Sequence, residues 1–303
     1  MVTYTLIEAP SILGLTPSGV ERLPIALQDA GLGAMLRAKH AGRVDPLPYS
    51  PERDPETHML NARNIREYSI RLADAIGPIL DRREFPIVLG GDCSILLGSM
   101  LAVRRRGRYG LLFLDGHMDF YPPAASPTGE AADMDLALAT GRGPDLVTNL
   151  EGYSPLVRDD DTVVLGYRDS DAAASEGGIA AANTSMMTFD LNHLRRIGVD
   201  ATMRLAIDRL ARDSLQGFWI HLDADVLDDA VMPAVDYRMP GGLSFEELSN
   251  VLRMAVATQR AIGLEITIFN PSLDSDGRIA EHFARCITAG LSQASVQSGM
   301  PER

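Results

Sequence analysis

Apolar residues recur in two rhythms along this chain. Short, nearly unbroken runs occur at Val2 to Ile7, Pro86 to Gly91, Leu111 to Leu114, Thr162 to Gly166, Phe218 to Leu222 and Ala261 to Phe269. Runs of this length, closed by Gly, Pro or Asp, read as buried strands. Between them the spacing turns helical: Ile65, Tyr68, Leu72, Ile76, Ile79 and Leu80 recur near every third or fourth residue across Asn61 to Arg83, the stripe of a helix with one apolar face. Further helices are predicted at Pro24 to Lys39, Ile95 to Val103 (ending in Arg104-Arg-Arg106), Met134 to Thr140, Ala201 to Arg212 and Ile279 to Ser292. Another opens on the capping box Ser244-Phe-Glu-Glu247 and runs to Arg260. Gly42 to Pro55, rich in Pro and charge, predicts an exposed connection. Strands alternating with helices imply an α/β fold, a three-layer α/β/α arrangement around a mainly parallel sheet, here as one domain over residues 1–303. Its site belongs at the carboxyl ends of the strands.

Two of those ends carry the chemistry. Gly217-Phe-Trp-Ile-His-Leu-Asp223 stops in Ala224-Asp225, and Leu111-Leu-Phe-Leu-Asp115 runs into Gly116-His117-Met118-Asp119. Side chains alternate faces on a strand, so His221, Asp223 and Asp225 point one way, and polar groups again occupy every second position from Asp115 to Asp119. Carboxylates crowded in a small volume raise one another's pKa and destabilise the fold unless a cation sits among them. One or two metal ions are therefore expected. The Pro-, Ala- and Gly-rich stretch Phe120 to Asp133 predicts a loop over the strand ends, shaping a pocket, and Arg168-Asp-Ser-Asp171 falls on the same rim.

Composition narrows the partners. The 28 basic against 41 acidic residues give a formal charge of −13, which argues against nucleic acid or an anionic membrane as partner, with solubility its plainer meaning. Only Cys93 and Cys286 occur, so no disulfide framework is expected and a reducing, cytoplasmic setting is. Glu8 and Pro10 interrupt the first apolar stretch, which does not read as a signal peptide, and no run reaches membrane-spanning length.

The segments Gly90-Gly-Asp-Cys-Ser94, Asp115-Gly-His-Met-Asp119, Asp223-Ala-Asp225 and Gly263-Leu-Glu-Ile-Thr-Ile-Phe-Asn-Pro271 together resemble the ureohydrolase superfamily of arginase, agmatinase and formimidoylglutamase. The resemblance implies a dinuclear centre, typically manganese, whose activated water hydrolyses a linear C–N bond in an amidine, guanidine or hydroxyguanidine. It also implies a small-molecule substrate and a homo-oligomer. Carried over by position, Asp115 and Asp223 bridge the metals, Cys93 and Asp119 complete one, and His117 and Asp225 complete the other.

Several positions depart from the family pattern. Cys93 stands where the pattern has His, and a soft thiolate shifts preference towards zinc or iron. The residue has two other readings, a small buried apolar side chain and a nucleophile with His117 as base, the last disfavoured by the carboxylates around it. The family loop carries Ser-Gly-Asn-x-His, with a proton-shuttling His, where this chain has Thr128-Gly-Glu-Ala-Ala132; Glu130 and Asp133 read either as its substitutes or, the favoured reading, as plain loop polarity, and His221 reads first as a satisfied polar residue at the strand end, second as a group to orient a ligand or take protons. Ile268 replaces the Glu that pairs with guanidinium. Asp236-Tyr-Arg-Met-Pro240 replaces a Thr-Gly-Thr-Pro segment and brings Asp236 towards the pocket. Glu265 matches a different family acid, and Arg168, Asp169 and Asp171 match a stretch that holds the amino-acid end of a substrate, with a rim salt bridge as their plainer role. Two functions of other kinds remain: a catalytically silent scaffold, for which the missing His and Glu speak, and an amide hydrolase of the deacetylase type, for which an aromatic-lined pocket would speak.

Overall fold

The computed structural model describes residues 2–169 and 183–292. Eight strands form one all-parallel sheet: β1 (Tyr4–Glu8), β2 (Lys39–Arg43), β3 (Phe85–Leu89), β4 (Gly110–Leu114), β5 (Thr162–Leu165), β6 (Met187–Phe189), β7 (Phe218–Asp223) and β8 (Ala261–Thr267), in the order β2-β1-β3-β8-β7-β4-β5-β6. The apolar runs read from the sequence lie at its centre. Every residue of β3, β4, β5 and β7 is buried, as expected of strands covered on both faces.

Alternation along those strands assigns the layers. On one face Val88, Phe113, Val164 and Trp219 pack with α3 (Ala62–Asp81) and α4 (Leu96–Arg104). On the other, Ile87, Leu112, Leu222, Leu264 and Ile266 pack with helices at Val199–Leu210, Phe245–Ala257 and Arg278–Leu291. The capping box is formed as the sequence predicts, Glu247 N donating to Ser244 Oγ at 3.1 Å and Ser244 N to Glu247 Oε2 at 2.8 Å. The basic run after α4 is held by acids at the surface, Arg105 by Asp74 and Glu151 and Arg106 by Asp81.

Two edges differ from the expectation. The stretch read as one helix, Pro24 to Lys39, is two short helices, α1 (Leu23–Asp29) and α2 (Leu32–Leu36), followed by β2, which also takes the start of the expected exposed connection. Gly31 ends α1 at a left-handed φ of 86°, where a β-carbon is penalised. β6 and the helix Leu191–Ile197 form the opposite edge, where the sequence shows no distinct period.

Candidate metal centre

The site forms where β3, β8, β7 and β4 end side by side. Register places Phe113 beside His221 and His221 beside Glu265, so the polar residues one step beyond converge. Two glycines permit that approach. A β-carbon on Gly91 would lie 1.8 Å from the Ser11 carbonyl oxygen, and one on Gly116 would lie 2.5 Å from Arg168 Nη1. Asp119 turns back over the cluster through a left-handed φ of 46°.

Six residues expected to be ligands come together. Cys93 Sγ lies 2.8 Å from Asp223 Oδ2, and His117 Nδ1 lies 2.9 Å from Asp225 Oδ2 and 3.7 Å from Asp115 Oδ1. Backbone amides hold the carboxylates in place: His117 N donates to Asp115 Oδ1 at 2.6 Å, Asp225 N to Asp223 Oδ1 at 2.8 Å, and Gly116 N to Asp225 Oδ1 at 3.0 Å. Ligand atoms of Cys93, Asp115, His221 and Asp223 all lie within 4.8 Å of one another, as do those of Asp115, His117 and Asp225. Asp119 points into the same cavity but shares a hydrogen bond with Asp135.

The electrostatics of the cluster call for a cation. Burial, then repulsion from Asp225, pushes the Asp115 carboxyl up to about 6. Burial and neighbouring carboxylates likewise raise Asp119, Asp223 and Asp135, and burial and Asp223 raise the Cys93 thiol. Only Asp225 runs the other way: burial opposes it, but the His117 imidazolium holds its carboxyl below the usual range. Asp115 Oδ2 and His221 Nε2 are buried with no hydrogen-bond partner. Buried polar atoms are seldom left so, and a divalent cation would satisfy both while discharging the acids. The donor set of carboxylates, imidazoles and one thiolate fits first-row metals.

A family comparison settles the fold's lineage. A profile of the arginase family matches residues 7–291. The chain belongs to the arginase family. It is 30% identical to the arginase of Brevibacillus brevis over 281 residues, 91% of this chain and 93% of that one. It is 28% identical to the arginase of Bacillus caldovelox over 287 residues, 92% of this chain and 95% of that one. The native structure of the Bacillus caldovelox arginase at pH 5.6 superposes with a TM-score of 0.86 at 25% identity, covering 97% of this chain and all of that one.

Around this arginase-family centre, a cavity of about 260 Å³ opens between Leu15, Thr128, Glu130, Asp133, Tyr237 and Ile268. Several residues expected at the substrate are placed otherwise. Arg168 faces inward, its Nη2 donating to the carbonyls of Asp225, Leu227 and Met239 at 2.8, 3.2 and 3.1 Å. Among the described residues it braces two loops and closes no rim salt bridge. Asp236 accepts from Ser18 Oγ at 2.6 Å and Asn270 Nδ2 at 2.8 Å, tying loops together outside the cavity lining. Glu265 is fully buried behind His221, away from any substrate. Asp169 does line the cavity, anchored by Met118 N at 3.1 Å, whereas Asp171 lies outside the described residues.

Glu130 also lines the cavity, but its oxygens are engaged by Thr16 N at 2.7 Å, Thr16 Oγ1 at 2.5 Å and Tyr237 Oη at 2.8 Å. Asp133 is freer: Ser126 and Thr128 hydroxyls hold Oδ2 at 2.7 and 2.9 Å, while Oδ1 is buried and unpartnered. Burial pushes its carboxyl up to about 6. Asp135 went unread in the sequence, where an Asp opening an apolar helix signals only a favourable dipole position; its full burial beside Asp119 emerges from the fold.

Proposed function

We propose that the chain is a metal-dependent hydrolase of a linear, non-peptide C–N bond, acting on a neutral or weakly basic amidine-type carbon such as a formimino or hydroxyguanidino group. The observation that carries it is the convergence of Cys93, His117, Asp119, Asp223 and Asp225 on one cavity, with Asp115 clustered among them and its Oδ2 buried and unpartnered. Asp115 and Asp223, together with His117, Asp225, Cys93 and Asp119, are the residues that would hold two ions. Such a pair of ions supplies Lewis acidity and an activated water. Manganese is the metal of the family resemblance; the Cys93 thiolate makes zinc or iron the competitors.

The chain's own residues account for the rest. Asp133 is suited to moving a proton near neutral pH, since a general acid–base works best with its pKa close to the operating pH, and its unpartnered Oδ1 is free to exchange one. Tyr237 and Thr16, joined through Glu130, hold the loops that shield the cavity from water. Ile268 offers a guanidinium no partner: it is 4% exposed on the cavity wall. A buried cation without a counter-charge costs on the order of several kcal/mol, so a less basic group is favoured.

Turnover tests this reading. With the metal-loaded protein, release of urea, formamide or ammonia from arginine, agmatine, guanidinobutyrate, formiminoglutamate and hydroxyarginine is compared. Hydrolysis of a weakly basic member ahead of arginine supports the reading. Metal bound at the site with no turnover of any amidine, guanidine or amide would leave the scaffold function.

A further inference from the structure

His221 is held as a ligand is held. The ring is wholly buried on β7 and stacks on Phe113, centroids 4.5 Å apart and planes within 8°. Its Nδ1 lies 2.8 Å from Glu265 Oε1, and Ser99 from α4 donates to Glu265 Oε2 at 2.5 Å. With the hydroxyl given to one carboxyl oxygen, the other takes the Nδ1 hydrogen. That tautomer leaves a lone pair at Nε2. Nε2 faces Asp115 Oδ2 at 3.9 Å, too far for a hydrogen bond, and neither atom has another hydrogen-bond partner. Two buried acceptors thus confront each other across a gap.

Cys93 Sγ and an Asp223 oxygen border the same gap, all four donors lying within 4.8 Å of one another. Ligands bonded at roughly 2.0 to 2.3 Å around a tetrahedral ion sit about 3.3 to 3.8 Å apart, so the spacing suits one small cation. A carboxylate behind the far nitrogen of an imidazole is also how metal-bound histidines are fixed.

We infer that His221 is a metal ligand, holding one ion through Nε2 together with Cys93, Asp115 and Asp223, beside Asp119, which shares a hydrogen bond with Asp135. This rests on the metal-hydrolase reading and sharpens it. The donor set, one sulfur, one nitrogen and two oxygens, is softer than the His117 and Asp225 side of the centre, so the two positions differ in preference: a zinc-like ion at Cys93 and His221, a harder ion at His117 and Asp225.

The full chain labelled with ¹⁵N at histidine and titrated with ¹¹³Cd²⁺, a cation that accepts both thiolate and oxygen donors, reads this without enzymatic activity. Long-range ¹H–¹⁵N spectra separate the two nitrogens of each ring. The chain has six histidines; His40, His58, His193 and His282 lie outside the site and are assigned through single Gln substitutions, and His117→Gln distinguishes the remaining two. The expected result is a ¹¹³Cd–¹⁵N coupling on His221 Nε2, with the Nδ1 hydrogen retained, alongside a coupling on His117. Coupling at His117 with His221 Nε2 unmoved would overturn the inference alone. No coupling at either ring would overturn it together with the metal reading. Because the decisive spectrum is that of the parent protein, a misfolded His221 variant does not affect the test.

Discussion

Cys93 Sγ donates to Asp223 Oδ2 across 2.8 Å, joining the end of β3 to the end of β7 in one buried contact. The thiol is fully enclosed and, pushed up by burial and by Asp223, stays protonated without a metal. A protonated, enclosed thiol is a poor nucleophile. Alkylating reagents should therefore leave Cys93 unmodified in the folded, metal-free protein, and turnover after metal loading should be unchanged, as mass spectrometry and a parallel rate assay will show. Cys93→Ala should weaken one metal by about tenfold or more, and Cys93→His should tilt selectivity from zinc towards manganese. Competition titrations read both; identical binding by the parent and both variants would make the residue structural.

Ile268 occupies a left-handed φ of 68°, with its amide donating to Gly91 O at 2.9 Å. A β-branched residue there is strained, by about 1–3 kcal/mol, so its side chain is held at the cavity wall by the surrounding fold. Arginine should be turned over decades more slowly than a weakly basic substrate, several kcal/mol of uncompensated charge being worth that much in rate. Ile268→Glu should raise kcat/KM for arginine at least tenfold. Efficient hydrolysis of arginine by the parent would refute the argument.

Arg168 joins three carbonyls from two loops. Truncation would leave those carbonyls without their donor, so Arg168→Ala should lower stability by about 1–3 kcal/mol and weaken metal binding, because Asp225 sits in one of the braced loops. Denaturant unfolding and metal titration check this. A rise in KM with stability and metal affinity intact would return Arg168 to substrate binding.

Asp133 supplies a pH signature. Its folded pKa of about 6 exceeds the ordinary carboxyl value of 3.8, so the folded state keeps a proton that the unfolded state has lost. Stability contributed by this group is present below the unfolded pKa and is lost as pH rises through about 4 to 6, on the order of 2–3 kcal/mol in all. Asp133→Asn should flatten that part of the stability curve and, if Asp133 moves the proton in turnover, lower kcat about 10²-fold or more with little change in metal content. A variant that keeps the parent's kcat would exclude it from proton transfer.

The centre of the molecule was legible because burial imposes a pattern. Runs such as Leu111-Leu-Phe-Leu114 have few fates other than a strand covered on both sides, and alternation then put His221, Asp223 and Asp225 on one face. β2 escaped because Lys39-His-Ala-Gly-Arg43 is an edge strand with almost no buried residue, so no apolar rhythm marks it. The site's outer residues were harder for a related reason. Whether a side chain turns to solvent, backbone or cavity depends on loops distant in sequence: Leu227 and Met239 for Arg168, Ser18 and Asn270 for Asp236. Asp135 had no signal at all, since a lone acid before an apolar helix is ordinary.

Metal content tests the account most directly. The purified full chain is stripped by chelator, loaded with manganese and separately with zinc, desalted, and analysed for bound metal and thermal stability. Close to two ions per chain are expected in at least one loading, with a melting temperature that rises with metal concentration, because an ion bound only by the folded state adds its binding free energy to stability. A protein that retains no metal under either loading, and whose melting temperature ignores both, would contradict the central claim that the acids at the ends of β4 and β7 form a metal centre.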